Sequence, residues 1–221
     1  MSGFLGGGIG PMALKRRRAA AADWWQVAGQ TCVAAYKAIG AASLAASYVN
    51  LANPGTYNAA PGVAPTLAAG GWSFGAGQYL TTGVAPQAGF SIAVRFLAGA
   101  ADGAIFGVND ANFGWFCQLD SSANRNLYTI GTGTYLITNP AQIAGVVAVA
   151  NNFAYRDGIL DGTIPSGGSI PAYALFLGAR NYNGSPIGIR GNQSIAAVAI
   201  YSTTLSAADV AALTTRMQAL A

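Results

Sequence analysis

The sequence predicts an all-β fold in which two antiparallel sheets pack face to face, with an extended arm before them and a short helix after them. From Thr31 onward, short β-prone runs alternate with Gly, Pro, Asn and Asp, at the spacing typical of a β-sandwich. Every second residue from Phe90 to Phe96 is large and apolar, so these residues share one face of a strand. That face is expected to point into the core.

Ten runs of the chain are short, rich in β-branched or aromatic residues and bounded by turn-forming residues, and are predicted as strands. Strands of this number and length are enough to build two packed sheets. The predicted strands are 78–80, 91–97, 104–108, 115–119, 127–130, 134–137, 143–150, 153–156, 173–178 and 195–201.

The positions between the apolar ones are occupied mostly by Ala and Ser. The whole sequence is 52% hydrophobic and only 8% charged, which is sparse charge for a surface that faces water. We therefore expect neighbouring subunits to cover much of the outer surface, in a homo-oligomer or a larger assembly. The longest apolar run, about 143–150, is far shorter than the ~20 residues of a membrane-spanning helix, so no membrane insertion is predicted.

A C-terminal helix is predicted over residues 205–220. Ser206 and Asp209 have the spacing of a capping box, in which each side chain pairs with the backbone of the other residue. Apolar residues then follow at helical spacing and form one stripe, which should lie against the sandwich. These residues are Val210, Leu213, Met217 and Leu220.

Residues 1–30 form a separate segment, predicted to be an arm, and residues 31–221 form the sandwich with its helix. The arm is rich in glycine and carries two early apolar residues, Phe4 and Leu5. The tryptophans Trp24 and Trp25 either close one end of the sandwich or anchor the arm to another molecule. Residues 19–26 are expected to make one or two helical turns.

Four of the eleven basic residues stand together in the arm, as Lys15, Arg16, Arg17 and Arg18. This run either docks on an acidic neighbour in an assembly, contacts nucleic acid, acts as a nuclear import signal, or is a solvated tail. We favour docking on a neighbour. The rest of the chain is close to neutral, so a nucleic-acid-binding face is not predicted.

Several segments, in this order and spacing, resemble the laminin-G-like, concanavalin-A-like jelly rolls of bacterial surface proteins and tailed-phage virion proteins. They include residues 35–44 together with residues 50–55, and residues 78–80. Tyr155, Asp157 and Gly158 are similar to the family's Y-x-D/N-G turn. The stretches 176–181 and 199–206 are similar to its closing strand and helix.

The resemblance implies a concanavalin-A-like jelly-roll sandwich over about residues 30–221. It also implies a role as a structural virion protein, in capsid decoration or in a tail or fibre, or as a carbohydrate-binding adhesin. Relatives usually carry an acidic pair on the penultimate strand, but this chain has Ala196 and Ala197 there. A calcium site of the family's type is therefore not predicted.

The residue inventory argues against an enzyme. The chain has no His and no Glu, so the paired glutamates of sandwich glycoside hydrolases and the usual base of a Ser or Cys nucleophile are both absent. Asp157 and Asp161 are close in sequence, but Asp157-Gly158 has the composition of a hairpin turn. The cluster 109–112 could supply calcium ligands, although a polar hairpin explains it better. No metal site and no cofactor are predicted.

Glycan binding needs exposed aromatic rings beside amide and hydroxyl groups. Three parts of the chain offer this chemistry, although each is also explained by turn residues and by aromatics of the core. The candidate residues are Trp72, then Asn109, Asp110, Asn112 and Trp115, and finally Arg180, Asn181, Tyr182 and Asn183.

We therefore expect a virion protein that contacts other virion proteins through its arm and displays the sandwich. The alternative is an extracellular or cell-surface module that binds a host-surface glycan. Cys32 and Cys117 either pair across the sandwich or remain buried thiols, and no disulfide is predicted.

Overall fold

The computed structural model describes residues 23–99, 102–120, 125–136, 142–165 and 169–221. These ranges contain seventeen strands and two helices, α1 (Leu44–Ser47) and α2 (Ala207–Gln218). The strands are β1 (Cys32–Lys37), β2 (Ala60–Val63), β3 (Thr66–Ala68), β4 (Gly71–Phe74), β5 (Tyr79–Thr81), β6 (Ser91–Ala98), β7 (Ala104–Asn109), β8 (Gly114–Asp120), β9 (Arg125–Gly131), β10 (Gly133–Leu136), β11 (Gly145–Ala150), β12 (Phe153–Arg156), β13 (Ile159–Thr163), β14 (Phe176–Leu177), β15 (Arg180–Tyr182), β16 (Ser185–Ile187) and β17 (Gln193–Tyr201).

The strands form two sheets. The first sheet has the order β13-β12-β11-β6-β17-β4-β3, and β1 also pairs with β17, beside β4. The second sheet has the order β10-β9-β8-β7-β14-β5-β2. In addition, β15 pairs with β7 in parallel and with β16 in antiparallel fashion, which brings the β15–β16 hairpin beside the end of β7. The predicted two-sheet antiparallel sandwich is confirmed.

A single apolar core fills the space between the sheets. Its largest side chains, Trp72 and Trp115, are at most 1% exposed. The indole N–H of Trp72 donates to Ser47 Oγ at 2.7 Å, so its one polar atom is satisfied inside the core. The alternating apolar residues of β6 lie in this core, as predicted.

The outer face of the first sheet is covered by the chain itself, and not by another subunit as expected from its small residues. Ala93, Ala197 and Ala199 are fully buried on this face. Helix α2 lies over them and inserts three buried residues, Val210, Leu213 and Met217. Small residues on the sheet allow the helix to approach closely, so here they indicate an intramolecular contact.

Helix α2 begins and ends with specific contacts. Ser206 and Asp209 form the predicted capping box. At the other end, one guanidinium nitrogen of Arg95 donates to the carbonyl oxygens of Met217 and Leu220, at 2.9 and 2.7 Å. A cation at these carbonyls complements the helix dipole and fixes the C-terminal end of the helix on the sheet.

The described end of the arm also lies on this face. Trp24 and Trp25 are half-buried and meet edge to face, with ring centroids 5.6 Å apart. They pack against the apolar cluster that α2 forms with the outer face of the first sheet, called the α2 cluster below. The hydroxyl of Tyr201 donates to the Trp25 carbonyl at 2.6 Å. Residues 19–22, the first half of the segment expected to make helical turns, lie outside the described residues, and over residues 23–26 the chain makes a turn closed by Gln26 N–H and Asp23 O.

All ten predicted strands lie on observed strands, with ends that differ by a few residues, and position 137 lies outside the described residues. The sequence did not indicate several short strands, including β2, β3, β15 and β16. These contain Pro, Gly or only three residues, so their own sequences carry little β signal, and their pairing depends on neighbouring strands.

Candidate functional site

An open groove of about 250 Å³ lies on the outer face of the second sheet, between the β7–β8 hairpin and β15. Strand alternation places it there: Trp115 and Cys117 of β8 point into the core, so Phe116 between them points outward. The lining residues are Asn109, Asp110, Ala111, Asn112, Phe113, Gly114, Phe116, Thr129, Gly131, Thr132 and Arg180.

The β7–β8 hairpin forms one wall of the groove. Asp110 N–H donates to the carbonyl of Phe113 at 2.8 Å. One carboxylate oxygen of Asp110 accepts the backbone N–H groups of Asn112 and Phe113, both at 2.7 Å. This arrangement is an Asx-type turn, so the polar cluster considered for calcium is accounted for by the hairpin. Within the described ranges, no three His, Cys, Asp or Glu residues cluster to hold a metal ion.

Arg180 forms the opposite wall. Its guanidinium carbon lies 4.4 Å from the centroid of the Phe116 ring, in cation–π geometry. The close approach depends on Gly107, because a Cβ at that position would lie 2.8 Å from Arg180 Cγ. The Arg180 side chain is half-buried, and this desolvation lowers the pKa of its guanidinium.

Three buried polar atoms around the groove have no hydrogen-bond partner among the described residues. They are the side-chain oxygen of Asn109, the hydroxyl oxygen of Thr129 and Nε of Arg180. Thr129 is only 7% exposed. Buried polar atoms are normally paired, and although unpaired ones also occur elsewhere in the described residues, three lie on residues that line this groove, which makes it the candidate binding site.

The β15–β16 turn supports the groove from the side. Asn181 is buried, and its amide donates to the Ala174 carbonyl at 2.8 Å while its oxygen accepts Gly184 N–H at 2.7 Å. Asn183 is exposed, and its N–H donates to the Asn109 carbonyl at 3.3 Å. Tyr182 lies opposite Asn109 in the parallel pairing and is half-buried. Asn181 is therefore a structural residue, whereas Asn183 holds the two walls together.

The structure brings together four predicted glycan-binding residues, namely Asn109, Asp110, Asn112 and Arg180. It places Trp72 and Trp115 in the core, where their rings cannot contact a ligand. Sequence reasoning missed Phe116 and Thr129. Alternation along β8 could have indicated Phe116, but no sequence signal places Thr129 beside Arg180.

The two acidic residues that are close in sequence have structural roles. Asp157 and Gly158 form the two-residue turn between β12 and β13, with φ of 47° and 80°, as the sequence predicts. The Asp157 carboxylate accepts the N–H of Val146 at 2.9 Å. Asp161 pairs with Arg156 at 2.9 Å.

The cysteines are free thiols that lie on different sides of the first sheet. Cys32 packs against the α2 cluster on the outer face, and Cys117 lies in the core between the sheets. The intervening sheet separates the two sulfur atoms, so the half-buried thiol of Cys32 and the buried thiol of Cys117 do not pair.

The predicted assembly residues Phe4, Leu5, Lys15, Arg16, Arg17 and Arg18 lie outside the described residues. Neither helix in the described ranges is sufficiently long and apolar to cross a membrane.

No protein-family model matches the chain, and no curated protein matches its sequence. Solved structures do match in fold. Domain 4 of the extracellular arabinanase AbnA of Geobacillus stearothermophilus, in complex with arabinotriose, aligns with a TM-score of 0.59 at 14% identity, over 84% of this chain and 98% of that one.

Two further matches are parts of larger proteins. Trypanosoma rangeli sialidase in complex with sialic acid aligns with a TM-score of 0.59 at 14% identity, over 88% of this chain and 34% of that one. The binding domain of botulinum neurotoxin serotype D aligns with a TM-score of 0.60 at 12% identity, over 84% of this chain and 50% of that one. The chain thus spans about a third of the sialidase and half of the neurotoxin domain. At these identities the similarity shows the β-sandwich fold alone.

Proposed function

We propose that this chain is a non-catalytic saccharide-binding β-sandwich module, and that the groove between the β7–β8 hairpin and β15 is its binding site. The observation that carries the proposal is the group of three unpaired polar atoms beside the groove, on Asn109, Thr129 and Arg180. A ligand that satisfies them removes the cost of about 1–3 kcal/mol that each buried unpaired atom imposes.

The chemistry of the groove suits a sugar. Asn109 offers a hydrogen-bond acceptor, Arg180 offers donors, and the Thr129 hydroxyl can do either. Sugar hydroxyls likewise donate and accept, so one ring can satisfy several of these groups at once. Phe113, half-buried at the lining, adds an apolar surface for the C–H face of a sugar ring. The arabinotriose bound to the AbnA domain supports this class of ligand.

The absence of catalytic function is part of the proposal. The sequence contains neither His nor Glu. Asp110, the one carboxylate among the described residues that line the groove, has an oxygen occupied by two backbone N–H groups of its own turn. A glycoside hydrolase of the common type needs two carboxyl groups about 5–10 Å apart across the scissile bond, and the groove supplies one.

A glycan array probed with the full chain tests the proposal. We expect a restricted set of glycans to bind, and Asn109→Ala and Thr129→Val each to weaken binding about tenfold, the cost of one hydrogen bond to a ligand. Asn53→Ala, at an exposed site in a distant loop, is the matched control. An array without any bound glycan, or equal binding by all three variants, would contradict the proposal.

A structural role in a virion is the second candidate. Residues 1–20 would have to act as its anchor, since Trp24 and Trp25 pack on the sandwich of their own chain. The similarities to solved structures give this role no support, so it stays a prediction from the sequence. Deleting residues 1–20 should abolish incorporation into particles and leave the sandwich folded, whereas unchanged incorporation would exclude an anchoring arm.

A further inference from the structure

We propose that the groove selects an acidic saccharide, and that Arg180 binds the ligand's carboxylate. This inference rests on the proposed saccharide-binding function and adds the class of sugar. It is carried by the charge and hydrogen-bonding state of the residues that line the groove.

The first step concerns the charge of Arg180. The guanidinium is half-buried, and no carboxylate in the described part of the chain forms an ion pair with it. Burying a cation without a counter-ion is costly, as the lowered pKa of the guanidinium also indicates. The ring of Phe116 partly stabilises the cation but leaves Nε without a hydrogen-bond acceptor. A ligand anion in the groove would supply the counter-charge that the guanidinium lacks.

The second step concerns the geometry of the anion. Arginine donates through a planar fork that matches a carboxylate. Because Gly107 has no Cβ, the Arg180 side chain already packs over Phe116, so little side-chain entropy remains to be lost on binding. The hydroxyl of Thr129 lines the same groove and can donate a further hydrogen bond to the anion.

The third step distinguishes a sugar acid from a simple anion. The unpaired atom of Asn109 is an oxygen, which accepts hydrogen bonds and would repel a bare sulfate or phosphate. Asp110 lines the groove too, so the lining carries one positive and one negative side chain. This balance disfavours polyanions such as sulfated chains. A ring with one carboxylate and adjacent hydroxyl donors satisfies Arg180 and Asn109 together.

The experiment compares matched acidic and neutral ligands with the full chain. Oligogalacturonides and sialylated oligosaccharides are tested by array and calorimetry beside their methyl esters, which keep the sugar but lose the charge. We expect the acids to bind about 10- to 100-fold more tightly than the esters, as for the loss of a charged hydrogen bond. Arg180→Met, which retains packing on Phe116, should abolish this difference.

Two controls keep the outcomes distinct. Arg190→Met removes an exposed cation that does not line the groove and should leave the selectivity unchanged. Thermal unfolding of Arg180→Met verifies that the variant folds. Equal binding of acids and esters would overturn the inference and leave the saccharide-binding proposal standing. Binding of neither class would overturn both, and equal losses in both Arg variants would reduce the effect to general electrostatic attraction.

Discussion

Asn50 offers a sharp test of how the fold is held together, because one buried side chain joins β1 to the following loop. Asn50 is fully buried. Its oxygen accepts the N–H of Ala35 at 2.9 Å, and its amide donates to the carbonyls of Val33 and Thr56, both at 2.8 Å. Replacing Asn50 by Ala removes these contacts and leaves the backbone groups without their partner.

The expected cost follows from these contacts. Each buried group left unpaired costs about 1–3 kcal/mol, and water will reach the loop side more readily than the strand side. With two groups on β1 left unpaired, Asn50→Ala should lower the free energy of unfolding by about 2–6 kcal/mol. Urea unfolding followed by tryptophan fluorescence measures this, with an unchanged slope indicating that the folded state stays compact.

Asn53→Ala is the matched control, since Asn53 is exposed in the same loop. It should change the free energy of unfolding by less than about 0.5 kcal/mol. A cost below about 1 kcal/mol for Asn50→Ala, or equal costs for the two variants, would refute the idea that this side chain organises the loop.

Three further outcomes are expected. Arg95→Met should destabilise the chain by about 1–3 kcal/mol in urea, because the last carbonyls of α2 lose a charged donor, while Arg190→Met at an exposed site should not. Cys32 and Cys117 should resist iodoacetamide at pH 8 until the chain unfolds, since burial raises both thiol pKa values, that of Cys32 to about 12; rapid labelling of folded protein would contradict this. Alkali should also unfold the chain. The buried Cys and Tyr side chains whose pKa is raised in the folded state stabilise the fold fully below their ordinary pKa of about 9–10. This stability is lost as the pH rises from that value towards pH 12. Circular dichroism against pH would reveal the loss, and an unchanged signal at pH 12 would exclude it.

The fold class could be predicted because its signals are local. Alternation in β6, the turn Asp157-Gly158 and the capping box of Ser206 and Asp209 each involve residues close in sequence, and the structure confirms all three. The burial of the two tryptophan candidates, by contrast, depends on tertiary structure. Tryptophan is a residue type that stacks on sugar rings, but whether the rings of Trp72 and Trp115 are buried depends on which face of the strand each one occupies.

The small residues of the first sheet likewise do not reveal by themselves what covers them. Ala93, Ala197 and Ala199 correctly indicate a covered face, but a stripe of small residues is the same whether a helix of the same chain or another subunit lies on it. The position of α2, fixed by Arg95 at its C-terminal end, decides between the two.

The sequence by itself therefore determined ten of the strands, the sandwich, the terminal helix and the absence of the usual catalytic residue types. Only the tertiary structure decided where a ligand could bind. The groove combines residues from the β7–β8 hairpin, from Thr129 on β9 and from Arg180 on β15. The physical reason is that strand pairing brings together residues far apart in the chain, and it is this pairing that leaves Arg180 stacked on Phe116 and unpaired beside Thr129.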